Sequence, residues 1–102
     1  TDEVERLQSA ARLSASRGSD VSEIAKRLEA APDSDPIRIE LAIALAGRAE
    51  YEPALDHLLS VVKARGEGKD DARKAMLDIF EVLGDGHPLT TTYRRQLASA
   101  LF

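Results

Sequence analysis

Apolar residues recur along this chain at intervals of three and four, and glycine, proline and acidic residues interrupt them where helices begin and end. The period predicts six helical segments. The first covers residues 2–17, with Val4, Leu7, Ala11 and Leu13 toward one face, and Gly18 ends it. Asp20 is placed to cap a second segment and Glu23, three residues on, to complete a capping box; Ile24 and Leu28 face inward until Pro32. Asp35-Pro36 reads as an acidic cap followed by proline at the first helical position, opening a third segment with Ile39, Leu41, Ala42 and Leu45 inward. Pro53 sits in the first turn of the fourth, whose inner face is Ala54, Leu55, Leu58, Leu59 and Val62. After Gly66 and Gly68, Asp70-Asp71 are expected to cap the fifth (Ala75, Met76, Ile79, Phe80, Leu83). Gly84-Asp85-Gly86 closes it, and Pro88 opens a sixth carrying Leu89, Tyr93, Leu97 and Leu101. No segment alternates with the two-residue period of a strand, so the chain is read as all-α.

Between Leu41 and Leu59 two of these helices fold back on each other across a turn punctuated by Gly47 and Pro53. Two helices approach within about 8–10 Å only where the residue at their crossing is small. Ala42 and Ala54 supply that, with Leu41, Leu45 and Leu58 around them and Tyr51 at the turn. A frame of about 34 residues divides the chain into blocks 1–34, 35–68 and 69–102, two helices in each. The middle block has the large-small-large pattern of a tetratricopeptide hairpin, and the flanking blocks keep the helices with less of the pattern. The architecture expected is about six antiparallel helices stacked as one superhelical array over residues 1–102, about three units being the least that stands alone.

Composition narrows the function. With 43% hydrophobic but only 4% aromatic residues, the core has to be Leu, Ile, Val and Ala. Cysteine is absent, which removes disulfides, thiol catalysis and thiolate metal sites from this chain. A net charge of −4 argues against a nucleic-acid surface, which needs a concentrated basic face. No apolar run reaches the length of a membrane span, and no signal or transit segment is recognisable. A start at Thr1 rather than Met is read as that of a domain cut from a longer protein.

From Ile39 to Phe102 the resemblance becomes more specific. It is carried by Glu40-Leu41-Ala42-Ile43-Ala44-Leu45, Ala54-Leu55, Leu58-Leu59, Asp71 to Ile79, Leu83 to Leu89 and Tyr93-Arg94-Arg95-Gln96-Leu97. These stretches resemble the C-terminal domain of the YbbN-type (CnoX-like) thioredoxin-related co-chaperones of bacteria, closely over two thirds of the chain and loosely before it. The resemblance implies a cytoplasmic protein with a thioredoxin-fold domain upstream, absent here. It also implies that unfolded client proteins and the chaperonin GroEL are partners, with the last helix a contact.

Candidate chemistry is sparse. His57 and His87 lie in different elements, too few for a zinc site of four ligands; His57 reads as a helix-surface residue and His87 as a helix-start residue. Asp33, Asp35, Asp70 and Asp71 cluster where negative charge favours a helix N-terminus. Gly84-Asp85-Gly86 lacks the following lysine of a phosphate loop, and Ser14, Ser16 and Ser60 have no base nearby. No catalysis and no cofactor are therefore expected.

Many tetratricopeptide domains clamp a peptide carboxylate through Lys and Asn, but the comparable middle-unit positions hold Ile39 and Ile43. Attention moves to the last helix. Tyr93, Leu97 and Leu101 form a stripe beside Arg94 and Arg95, ending at Phe102; these six are the expected partner contacts, in helix-in-groove fashion. The bland alternative has Tyr93 and Leu97 packing on the fifth helix as a terminal cap. Two other functions stay open: a structural or homo-oligomerising scaffold that packs on the missing domain, and a regulatory module of an enzyme.

Overall fold

The computed structural model describes residues 21–102, so the expected first helix and the Asp20 cap lie outside the described residues. Five helices follow and no strand lies among them: α1 (Val21–Ala30), α2 (Asp35–Gly47), α3 (Tyr51–Ala64), α4 (Lys69–Leu83) and α5 (Pro88–Leu101). Each packs on its successor, and α2 also touches α4. This is a stack of helical hairpins, α2/α3 followed by α4/α5, with α1 on the near side of α2. The first helices of the two hairpins begin at Asp35 and Lys69, one 34-residue frame apart.

The core runs continuously through the stack. Leu41, Ala42 and Leu45 of α2 meet a face of α3 made of Ala54, Leu55, Leu58 and Leu59, and Ala72, Ala75, Met76, Ile79 and Phe80 of α4 extend it. Ala42 and Ala54 are fully buried, as a close helix crossing requires, while Tyr51 is half-buried against the cluster. Ala44, Ala46 and Val61 are buried too, outside the single stripe expected of each helix. The physical reason is stacking on two sides: α2 packs on α1, α3 and α4, and α3 on α2, α4 and α5.

Two local expectations are corrected. Ser34, not Asp35, is the N-cap of α2, its hydroxyl accepting from the Ile37 N–H at 3.3 Å. Asp35 is thereby freed for tertiary work, and its carboxylate accepts the Gly68 N–H at 3.1 Å. A Cβ on Gly68 would lie 2.6 Å from the Asp35 Cβ, so only glycine permits this approach between hairpins. Second, Asp70 and Asp71 do not cap α4; Gly68 is the N-cap and the two acids lie in the first turn, near the positive end of the dipole. Gly47 stands where it was read, at the edge of the α2/α3 turn. It ends the helix, and Ala49 takes the left-handed conformation (φ 62°), where the Glu50 N–H reaches the Leu45 carbonyl at 2.9 Å.

Candidate interaction surface

The segment entering α5 is built for a sharp start. His87 has extended backbone, its Nδ1 accepts the Leu89 N–H at 3.0 Å, and Pro88 follows as the first helical residue. The missing proline N–H costs nothing there, because the first N–H groups of a helix have no internal partner. From this start, residues spaced three and four apart turn to the protein. Thr90, Tyr93 and Leu97 are buried, and Leu89, Ala100 and Leu101 are packed against the core at half burial.

The neighbour they meet differs from the expected one. α5 packs chiefly on α3 and less on α4. Polar contacts reinforce this: the Tyr93 hydroxyl donates to Asp56 of α3, and the Arg65 guanidinium donates to the Ala100 carbonyl at 3.1 Å. Arg65 closes α3 in the left-handed conformation (φ 56°), an unfavourable state for a residue with a side chain. Burial first, and the bond to Asp56 second, push the Tyr93 phenol well above its ordinary range, so it is a neutral donor.

The six residues expected to meet a partner therefore separate. Tyr93 and Leu97 are core and present no surface, because the stripe that would have entered a partner's groove is filled by α3 and α4. Leu101 is half-buried. Arg94 lies outside, paired with exposed Asp85 at 3.0 Å and with its guanidinium 5.6 Å from the centre of the Phe80 ring. Arg95 and Phe102 are exposed. Of the six, Arg94, Arg95 and Phe102 are thus the accessible ones, Phe102 standing just past the end of α5.

A second surface opens between the hairpins. A cleft of about 560 Å³ is lined by Asp33, Asp35, Pro36, Ile39, Glu67 and Asp71, with Ser34 and Gly68 in its wall. Its carboxylates sit at the starts of α2 and α4, where the helix dipoles favour them. Farther along, Ile43 is half-buried and Leu77 is 40% exposed. Leu77 escaped sequence reading because its neighbours in the stripe count, Met76 and Ile79, are both buried.

The histidines do structural work. His57 is half-buried rather than a surface residue, and its Nδ1 lies 3.2 Å from the Arg38 guanidinium, which can only donate. Nδ1 must then be the acceptor. Arg38 also donates to the Pro32 carbonyl at 3.1 Å, joining the α1/α2 turn to α3. Burial, and next the Arg38 charge, lower the His57 pKa, while Asp56 raises it by less. No three metal-binding side chains converge on a common point among the described residues. Nor is any helix among them long and apolar enough to cross a membrane.

A stack of antiparallel helical hairpins with a continuous apolar core defines a helical-repeat scaffold. Residues 14–102 match the family model of the tetratricopeptide repeat, and the chain belongs to that family. No curated protein and no solved structure matches it. Tetratricopeptide repeats in general mediate protein–protein interaction and are typically non-catalytic.

Proposed function

We propose that this chain is the protein-interaction domain of a cytoplasmic thioredoxin-related co-chaperone, one that holds unfolded client proteins and passes them to the chaperonin GroEL. The redox-fold domain of such a protein would precede the present array. The observation that carries the reading is the exposed end of the last helix, Arg94 and Arg95 on α5 and Phe102 fully exposed just past it, in the run that resembles that family. Exposed apolar surface flanked by cations suits capture of a partner helix or an unfolded segment. The arginines act mainly on the rate and salt dependence of encounter.

One observation favours a second reading, in which α5 only caps the array: Tyr93 and Leu97 are buried in it. The two readings separate in a biosensor titration of the chain against chaperonin and against a chemically unfolded client, run with Arg95→Glu and with Phe102 deleted. Both changes lie on exposed residues, so circular dichroism melts should match the parent. Co-chaperone function predicts weaker binding with unchanged melting. Undiminished binding by both variants removes this face as the docking site.

A further inference from the structure

We propose that two copies of this chain associate through the outer face of α4, antiparallel, about a twofold axis beside Leu77. The observation is a stripe of three residues spaced four apart: Arg73, Leu77 and Glu81. Residues at that spacing rise one above the next along one side of a helix. Leu77 is one of only two exposed large hydrophobics among the described residues. Arg73 and Glu81 are half-buried, and neither takes part in an ion pair among the described residues.

The repeat frame accounts for the opening. One unit earlier the same positions are Ile39 and Ile43, both half-buried and packed against the core. Ile39 lines the cleft whose far wall is Gly68 and Asp71, at the start of the next hairpin. Among the described residues nothing stacks on α4 in that sense, since α5 turns back toward α3. The equivalent face is therefore left with its leucine in solvent.

The charge order selects the occupant. A stripe reading positive, apolar, negative is its own complement when a second copy runs the other way. Arg73 then faces Glu81 of the second copy, Glu81 faces its Arg73, and leucine meets leucine. A twofold contact makes each favourable pair twice. A uniformly acidic or basic partner helix would set one of the two charges against its like. A single helix face buries far less than the roughly 800 Å² per partner of a stable complex. The dimer should be weak, with a dissociation constant on the order of 100 μM.

Sedimentation equilibrium of the chain, carried up to about 1 mM, tests this directly. A monomer–dimer equilibrium is expected. Arg73→Glu and Glu81→Arg should each weaken it by about tenfold or more, through like charges brought face to face. The double variant should recover association, and so should an equimolar mixture of the two single variants, because each supplies the complement of the other. Circular dichroism confirms that each variant is folded; one that is not is replaced by Arg73→Gln or Glu81→Gln, which should weaken association less. A monomer at every concentration overturns the proposal. So does a dimer indifferent to the single reversals, or one that neither the double variant nor the mixture restores.

Discussion

α3 and α5 are both 14-residue helices, second in their hairpins, yet they are held in different ways. α3 buries Ala54, Leu55, Leu58, Leu59, Val61 and Val62, a double stripe, because helices stand against it on several sides. α5 buries Thr90, Tyr93 and Leu97, a single stripe on one side, and its attachment is supplemented by Tyr93 to Asp56 and Arg65 to Ala100. In a stacked array, a helix's burial is set by how many neighbours it has. Its own stripe sets only which side goes in first. The inner helix is accordingly the source of stability, and the outer one is where surface remains for a partner.

The largest effect should come from cutting into the inner helix. Leu58 is fully buried, and Leu58→Ala should cost about 2–5 kcal/mol through lost transfer and the cavity left behind. Leu101→Ala, at a half-buried position near the end of α5, should cost about 1 kcal/mol or less. Urea midpoints for the two variants measure the ratio, and equal losses would break the contrast. Next in size is overpacking. Ala54→Leu should cost about 1–3 kcal/mol at the helix crossing, whereas Ala98→Leu on the exposed side of α5 should stay within about 0.5 kcal/mol of neutral. A thermal melt showing no loss for Ala54→Leu would falsify the assigned crossing.

Smaller and opposite in sign is the effect at Thr90. Its hydroxyl is buried without a hydrogen-bond partner, the one such side-chain oxygen or nitrogen among the described residues. Thr90→Val should stabilise the chain by about 1 kcal/mol, because an unsatisfied buried hydroxyl carries its full desolvation cost. Thr91→Val, on the exposed side, should give no such gain; a destabilised Thr90→Val would show that the hydroxyl is satisfied in solution.

The smallest effect is electrostatic and belongs to α3. His57 has a folded-state pKa below its ordinary 6.5, so the unfolded chain binds the proton more readily. The stability of the neutral state is intact above that value and declines as pH falls from about 6.5 toward the folded pKa. Melting temperatures at pH 7 and pH 5.5 should therefore differ more for the parent chain than for His57→Gln. Identical slopes would mean that burial and the Arg38 charge do not lower the ring's pKa.

Much of this was legible in sequence. Gly and Pro punctuation located the helices, and the small residues Ala42 and Ala54, read as the crossing, are both fully buried, as sterics at a close helix contact would require. Capping was less legible. Ser34, Asp35 and Pro36 are adjacent, and each is a plausible helix opener on its own. Only the proximity of Gly68, one unit away in sequence, engages Asp35 elsewhere and leaves the cap to Ser34. The six candidate contact residues on the last helix were harder still, since an apolar stripe looks the same whether a partner or the chain itself will fill it.

The sequence by itself determined which residues share a face: Tyr93 with Leu97, and Leu41 with Leu45. Periodicity is a local property, fixed by 3.6 residues per turn. Only the tertiary structure decided what stands against each face. It buried Tyr93 and Leu97 where α5 meets α3 and α4, joined His57 to Arg38 across the hairpin, and left Leu77 in solvent while its counterpart Ile43 is half-covered. Those outcomes depend on which helix comes next in the stack, and no window of a single helix contains that information.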